Sequence, residues 1–251
     1  MPDVIFENER LVAIYDHFDG ERGDLGHYIA IARELGAESI LDIGCGTGCF
    51  ACLLSEQGFK VTGLDPARAS LEIARRKPFA ERVNWMHGDM STIADVSADL
   101  AFMTGNVAQV FLTDELWLET LSRINTVLNE KGHLVFEVRD PAQKAWLCWN
   151  REHTYQKLAI PEIGKVESWC EVTEVSQQLV SFRWTYVFAS DGQVITSDST
   201  LRFRGKAEIE QSLISSGFNV IDIRDAPDRP GKEFVFIASR AKDYTCRDLV
   251  M

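Results

Sequence analysis

Three glycines spaced two residues apart, Gly44, Gly46 and Gly48, follow the apolar run 40–43. The two isoleucines and the leucine of this run are typical of a buried strand. The apolar spacing over 50–58 predicts a helix directly after the turn. Because glycine carries no Cβ, the backbone of such a turn can closely approach a ligand. A strand that enters a helix through a glycine turn is how α/β sheets bind nucleotides, so the segment predicts a nucleotide-type site.

Acidic residues stand at the ends of the next two predicted strands. The segment 60–64 leads into Asp65, and the segment 82–87 leads into Asp89 after one glycine. Open α/β sheets bind ligands at the carboxyl ends of their strands, which places both acids at the predicted site. A carboxylate such as Asp65 can accept hydrogen bonds from both hydroxyls of a ribose, and such charge-assisted bonds contribute roughly 1.5–3 kcal/mol each.

In register, these motifs resemble the class I S-adenosylmethionine-dependent methyltransferases. The resemblance covers roughly the first 140 residues and the end of the chain, and it implies S-adenosyl-L-methionine as the cofactor. By position, Asp42 resembles an acid near the methionine part of that cofactor, Asp65 the ribose ligand and Asp89 the contact to the adenine amine. The resemblance implies these cofactor-binding residues: Asp42, Gly44, Cys45, Gly46, Asp65, Pro66, Asp89, Met90, Thr104, Asn106, Tyr15 and Tyr28.

Two helical patterns precede the glycine turn, over 11–18 and 28–35. In the resembling family, N-terminal helices cap the cofactor, so Tyr15 and Tyr28 are candidates to cover its methionine part. The same apolar spacing is typical of packing against a core. Both interpretations stay open for each tyrosine.

The predicted fold class is α/β: a Rossmann-like seven-stranded methyltransferase sheet with helices on both faces, plus an inserted antiparallel β meander. The meander is predicted as three strands, because aromatic and polar residues alternate over 180–188 and a hairpin signal stands at 190–193. We expect a cofactor-binding core over 1–141 and 205–241, an N-terminal helical cap over 1–36, an insertion forming a substrate lid over 142–204, and a tail over 242–251.

An already activated sulfonium needs no protein nucleophile, so methyl transfer requires mainly that the acceptor is held in line and kept dry. A general base is needed only when the acceptor is protonated. The candidates are His153 and Tyr155 as bases, and Arg139 as a bidentate clamp for a substrate carboxylate. Trp146 and Trp149 in the insertion could equally line an acceptor pocket or pack the lid onto the core. The acceptor, the methylated atom (O, N or C) and the base are open.

Two alternative functions compete with this interpretation. An NAD-dependent oxidoreductase would carry Gly-x-Gly-x-x-Gly, which requires a glycine where the chain has Cys49. A non-catalytic S-adenosylmethionine-binding regulatory protein would retain the glycine turn and the strand-end acids. The sequence favours the methyltransferase, because a second acid follows the third strand and no dehydrogenase set accompanies the turn.

Charge and composition narrow the choice of partners. The 251 residues include 26 Lys and Arg but 38 Asp and Glu, a formal net charge of −12. Nucleic-acid binding depends on cationic neutralisation of phosphates, so the balance argues against nucleic acid and anionic membranes, and favours a small-molecule acceptor. No signal peptide or membrane-length apolar run is present, and we expect a cytoplasmic monomer or homodimer. The six cysteines predict neither a metal site nor a disulfide framework.

Overall fold

The computed structural model describes residues 2–20 and 22–241. The strands of this part are β1 (Ser39–Ile43), β2 (Lys60–Asp65), β3 (Val83–His87), β4 (Ala98–Met103), β5 (Leu128–Arg139), β6 (Gln156–Ile160), β7 (Gly164–Ser176), β8 (Leu179–Phe188), β9 (Val194–Arg202), β10 (Phe218–Asp225) and β11 (Glu233–Arg240). Its α-helices are α1 (Val4–Glu7), α2 (Glu9–Asp19), α3 (Leu25–Glu34), α4 (Cys49–Glu56), α5 (Arg68–Ala74), α6 (Asp114–Val127), α7 (Arg151–Thr154) and α8 (Lys206–Ser215).

Seven strands form one mixed sheet in the order β10-β11-β5-β4-β1-β2-β3. The strands β1 to β5 pair in parallel, and β11 runs antiparallel to both β5 and β10. The order reverses between β1 and β4, which is the place where open α/β sheets bind their ligands. The predicted α/β fold class with a seven-stranded sheet is confirmed.

Helices cover both faces of this sheet because neighbouring strand residues point to opposite sides. Leu41 packs in one core cluster with Trp117 of α6 and Leu213 of α8. Ile40 packs in a second cluster with Ile31 of α3 and residues of α4. Buried on both faces, β1 reads as an almost continuous apolar run, as central parallel strands do.

The insertion forms a separate antiparallel sheet in the order β6-β7-β8-β9. The three predicted strands are present as β7, β8 and β9, with the predicted hairpin between β8 and β9. The sheet has a fourth strand, β6, which pairs with β7 and which the sequence analysis does not predict. The strand β6 is short, and most of its residues are exposed, so it lacks the aromatic alternation of its neighbours.

The insertion packs on the N-terminal helices and not only on the main sheet. A third core cluster joins Ile5 of α1 and Ile14 of α2 to Val166 of β7 and Phe188 of β8. The Ile5 amide also donates a hydrogen bond of 2.9 Å to Ser197 Oγ in β9. The helical cap and the lid are therefore joined. The domain boundaries stay a prediction, and the predicted tail 242–251 lies outside the described residues.

Candidate functional site

The glycine turn over 44–48 connects the carboxyl end of β1 to α4. The amides of Gly44 and Cys45 both donate to the Leu64 carbonyl oxygen, at 2.8 and 3.2 Å. These bonds tie the turn to the end of β2, next to Asp65. The turn and the strand-end acid thus form one local unit, as the sequence predicts.

Gly48 and Gly46 of the turn differ in the space around the position of a Cβ atom. Gly48 has φ of 79°, and a Cβ there would lie 2.6 Å from the ring of Trp85 and 2.7 Å from Cβ of Ala74. At Gly46, with φ of 52°, a Cβ would meet no atom within 4 Å. The turn is therefore closely packed at its helix end and borders open space at its centre, where a ligand can approach the backbone.

Asp65 clamps the turn from β2. Its Oδ2 accepts a hydrogen bond of 2.8 Å from the Gly46 amide, and its Oδ1 accepts one of 2.7 Å from the Ala67 amide. Burial raises the pKa of Asp65, and its side chain is almost wholly buried. Each carboxylate oxygen retains a second lone pair, so Asp65 can accept further hydrogen bonds from a ligand.

Asp42 is the most isolated acid of the site. It is 1% exposed, and its Oδ2 has no hydrogen-bond partner among the described residues. Burial, reinforced by the charge of Asp65, raises its pKa to about 7, and Arg22 acts in the opposite direction. A buried acceptor without a donor is costly for a fold, and this one suits a cationic ligand group.

Asp89 and its neighbours follow β3, which is two strands away from β1 in the sheet. The Asp89 carboxylate accepts from the amide and hydroxyl of Ser91, which lowers its pKa. The Met90 side chain is buried in the main core, so only its backbone is free to meet a ligand. Pro66 is exposed, and its carbonyl oxygen lies 3.0 Å from Nε2 of His87.

Tyr15 lies on α2, close to the glycine turn. Burial raises its pKa, with the charges of Asp19 and Cys49 among the further causes. Its ring centroid lies 5.6 Å from that of Phe6. Tyr15 packs against the third core cluster, which joins the N-terminal helices to the insertion, and its role as a cap stays a prediction.

Tyr28 lies elsewhere, in the packed core, so the packing interpretation is present and its role as a cap stays a prediction. Its ring is 2% exposed and packs edge-on against Phe50 of α4 and Phe102 of β4, with centroids 6.1 and 6.0 Å apart. A ring enclosed in this way holds α3 to the sheet. The helical spacing that predicts both tyrosines cannot distinguish a core face from a ligand face.

A group of buried acids at the ends of β4 and β5 is not predicted from the sequence. Glu137 Oε1 accepts from the amides of Gly105 and Asn106, at 2.7 and 3.2 Å. Asn106, with φ of 63°, directs its Nδ2 to Glu233 Oε1 at 3.5 Å. Its own Oδ1 is buried without a partner among the described residues. Thr104 is half-buried at the end of β4.

The charges of this group are unevenly matched. Glu233 takes both nearby guanidinium groups, with Arg229 Nη1 at 2.6 Å and Arg139 Nε at 3.5 Å. Glu137 makes no ion pair of its own in the described part of the chain. Burial, and then the charge of Glu233, raise the pKa of Glu137 to about 7. The only partial signal in the sequence is an acid inside the apolar run 134–138.

Arg139 is paired within the protein, and its role as a clamp for a substrate carboxylate stays a prediction. Besides its pair with Glu233, its Nη1 donates to Gln109 Oε1 at 3.3 Å. Its guanidinium carbon lies 5.5 Å from the Trp149 ring centroid. Burial lowers its pKa. Arg139 thus links the core to the insertion.

Trp146 and Trp149 dock the insertion at the same place. The Trp146 ring lies 4.6 Å from that of Phe203, and the Trp149 ring lies 4.8 Å from that of Phe182. Both tryptophans are half-buried. The packing role is therefore present for both rings, and each still has a surface free for an acceptor.

The two candidate bases lie in the insertion. His153 is exposed in α7, with Nδ1 2.9 Å from Asn150 Oδ1. Tyr155 is 43% exposed, with the guanidinium of Arg151 5.8 Å from its ring centroid. Neither residue hydrogen-bonds or stacks with the main sheet in the described part. The structure does not bring them to the glycine turn, so they are not supported as bases.

Solved structures and relatives of similar sequence match this arrangement. A S-adenosylmethionine-dependent methyltransferase from Clostridium acetobutylicum ATCC 824 superposes with a TM-score of 0.74 at 17% identity, over 92% of this chain and 98% of that one. CalS10 from Micromonospora echinaspora, an amino pentose methyltransferase, superposes with a TM-score of 0.70 at 20% identity, over 91% and 95%.

Sequence comparison finds similarity to methyltransferases. Residues 40–132 match a family model described as a methyltransferase domain. A putative methyltransferase of Geobacillus sp. (strain WCH70) is 28% identical over 220 residues, 82% of this chain and 85% of that protein. The chain is thus similar to the class I S-adenosylmethionine-dependent methyltransferases, in the sequence of residues 40–132 and in fold. Further curated relatives match this chain over about half of their own length or less.

The site fits the cofactor of this methyltransferase family. S-adenosylmethionine combines a ribose, an ammonium and a sulfonium, and the site offers a strand-end carboxylate, an unpartnered buried carboxylate and open space at Gly46. Within residues 2–20 and 22–241, no three His, Cys, Asp or Glu side chains are grouped as a metal site. No helix of that part is long and apolar enough to cross a membrane.

Proposed function

We propose that this methyltransferase transfers the methyl group of S-adenosylmethionine to a small-molecule acceptor by in-line displacement. The observation that carries the proposal is the open glycine turn, clamped by Asp65 and placed beside the unpartnered carboxylate of Asp42. The amino pentose methyltransferase of similar fold supports a small acceptor. The net charge of −12 supports the exclusion of nucleic acid, because such binding needs cationic surface.

In this proposal two buried acids bind different parts of the donor. Asp65 accepts the ribose hydroxyls, and Asp42 accepts the ammonium of the methionine part. Tyr15 covers that part from α2. The further proposed contacts are with Gly44, Cys45, Gly46, Pro66, Asp89, Met90, Thr104 and Asn106. A cytoplasmic location and a monomeric or homodimeric state stay predictions.

When bound, S-adenosylmethionine supplies a methyl group on a sulfonium sulfur that is already electrophilic. The remaining work of the chain is to orient the acceptor and to exclude water, and orientation alone can contribute roughly 7–11 kcal/mol. The insertion docks at the carboxyl ends of β4 and β5 through Trp149 and Arg139. In this proposal the insertion forms a lid over the edge of the sheet where the reaction takes place.

The test is calorimetric titration of the purified protein with S-adenosylhomocysteine, the product of the donor. We expect micromolar binding, and no binding of NAD under the same conditions. Asp65→Ala should weaken the binding at least about 100-fold, because two charge-assisted hydrogen bonds are lost at roughly 1.5–3 kcal/mol each. Asp198→Ala is the matched control, because this acid is exposed in the insertion and pairs only with Arg183.

The outcomes separate the alternatives. Binding of NAD without S-adenosylhomocysteine would contradict the proposal in favour of an oxidoreductase. Product binding without transfer of labelled methyl to any acceptor in a broad metabolite screen would support the non-catalytic alternative. Equal effects of Asp65→Ala and Asp198→Ala would refute the assigned role of Asp65.

A further inference from the structure

The ends of β4 and β5 carry acceptor atoms that the fold leaves unfilled. Asn106 Nδ2 must face Glu233, because only the amide nitrogen can donate to a carboxylate. This fixes the amide orientation and leaves the buried Asn106 Oδ1 as the atom without a partner. Beside it, Glu137 receives both its hydrogen bonds on Oε1, and no described residue donates to its Oε2.

No positively charged side chain of residues 2–20 and 22–241 forms an ion pair with these atoms, although the charge of Arg229 acts on Glu137. The two arginines near Glu137 are Arg139 and Arg229, and both pair with Glu233. The further charges that act on Glu137 are those of Glu233 and Asp24, and both are negative. A buried carboxylate in this setting is expensive unless a cationic, hydrogen-bond-donating group joins it.

This position is separate from the one proposed for the ammonium of the donor. In the sheet register, Asp42 lies opposite Phe102, and Phe102 opposite Val135. Glu137 is therefore two strands away from Asp42 and two residues further towards the carboxyl end, about 12 Å by standard strand spacings. Asp42 is also not among the charges that act on Glu137. One small cation cannot serve both acids.

We propose that Glu137 Oε2 and Asn106 Oδ1 bind the amino group of the methyl acceptor, so that the acceptor class is a primary or secondary amine. This inference rests on the proposed function. A protonated amine gives one proton to Glu137, which changes from carboxylate to carboxylic acid, while the amine becomes neutral and regains its lone pair. That lone pair forms the N–C bond as the C–S bond breaks, the bonding electrons go to sulfur, and the methylated nitrogen carries the positive charge.

The inference also accounts for the surroundings of the acid. Burial raises the pKa of Glu137 to about 7, so the group can exchange a proton with an amine near neutral pH. The half-buried ring of Trp149, in the insertion, lies next to Arg139, which is two residues beyond Glu137 on β5. An aromatic face at this point can hold the apolar or cationic body of an amine.

The test compares amines with their hydroxyl counterparts. The probes are phenethylamine against 2-phenylethanol, and glucosamine against glucose. Each is tested for transfer of labelled methyl and, in a separate titration, for calorimetric binding to protein saturated with S-adenosylhomocysteine. We expect amine binding and methylation at least tenfold above the hydroxyl counterpart.

Two variants test the residues. Glu137→Gln keeps Oε1 for the Gly105 and Asn106 amides but replaces the other oxygen by a donor, so amine binding and kcat/KM should fall at least 100-fold. Asn106→Gly tolerates the positive φ and removes Oδ1, so it should lower amine binding and kcat/KM at least tenfold. Glu130→Gln, at an exposed position of the same strand, should match the unmodified protein. S-adenosylhomocysteine affinity should stay within threefold in Glu137→Gln and Glu130→Gln.

Several results would overturn the inference. These are equal methylation of amine and hydroxyl probes, unchanged amine selectivity in Glu137→Gln, or loss of S-adenosylhomocysteine binding in Glu137→Gln as large as the loss of amine binding. Absence of any amine binding or methylation, with donor-product binding intact, would also overturn it and would leave the proposed function standing. Failure of S-adenosylhomocysteine to bind the unmodified protein would refute the proposed function itself, and the inference with it.

Discussion

Replacing Asp42 by Asn should weaken the pH dependence of stability between pH 6 and pH 8. The pKa of Asp42 rises from its ordinary value of 3.8 to about 7 in the fold, chiefly through burial. In the unfolded chain the group is ionised throughout this range, whereas the native group is still protonated at the lower end. The native state thus binds more protons, and stability falls as the pH rises.

The magnitude follows from the two pKa values. Integrating the difference in bound protons between pH 6 and pH 8 gives about 1.4 kcal/mol of lost stability from Asp42 alone. For a chain of this size, that corresponds to about 3–6 °C in Tm. Asp65 and Arg22 are the charged groups that act on Asp42. The Cys45 thiol next to it stays protonated, because burial raises its pKa well above the ordinary value.

The assay is urea and thermal unfolding of the unmodified protein, Asp42→Asn and Asp198→Asn at pH 6, 7 and 8. Asp198 is the control, because its pKa is lowered by the hydrogen bond from Arg183 and it does not titrate in this range. The unmodified protein and the control should lose about 1.4 kcal/mol more than Asp42→Asn. Equal losses in all three proteins would refute the argument that the Asp42 carboxyl titrates near neutral pH.

The same titration predicts a trend in ligand affinity. If Asp42 binds the donor ammonium, only its ionised form attracts the ligand, and that form rises from about a tenth to about nine tenths of the protein between pH 6 and pH 8. S-adenosylhomocysteine affinity of the unmodified protein should therefore rise about tenfold over this range. Calorimetry at both pH values should show a flat profile for Asp42→Asn, and a tenfold rise in that variant would exclude Asp42 as the ammonium ligand.

Two further substitutions test the packing of the site. Gly48→Ala should destabilise the protein by about 2–4 kcal/mol in urea unfolding, because the new Cβ would lie 2.6 Å from Trp85 at positive φ; Gly26→Ala, with no atom within 4 Å, should not. Trp149→Ala should lower methyl transfer at least tenfold with unchanged S-adenosylhomocysteine affinity. Trp184 stacks on the Tyr186 ring within the insertion, so Trp184→Ala should lower Tm and leave kcat/KM within twofold. The reverse pattern would refute the docking role of Trp149.

Much of the fold could be predicted because its strands are strongly periodic or continuously apolar. The central strands β1 and β4 are buried on both faces, and the alternation of β8 reflects one buried aromatic face. The helix α6 and the edge strand β6 are missed. The strand β6 is mainly exposed. It is held in a strand conformation by its pairing with β7, which its own residue pattern does not indicate.

The site could be predicted only where its residues are close in sequence to a motif. Asp65 is predicted from its place after β2, and the structure ties it to the glycine turn. Arg139 is predicted as free, but Glu233, 94 residues later in the sequence, pairs with it. No local pattern reports such a pair, because it depends on the antiparallel register of β11 and β5. The same reason hides the charge balance around Glu137.

Asp42 and Glu137 have raised pKa values for the same physical reason. Asp42 and Glu137 are both buried, both lack a cation of their own among the described residues, and both have a pKa of about 7. Each therefore destabilises the ligand-free fold above neutral pH. Groups that break the rule of paired buried charge are typical of binding and catalytic sites. A cationic ligand at either acid recovers that free energy, so ligand-induced stabilisation should grow with pH at both positions.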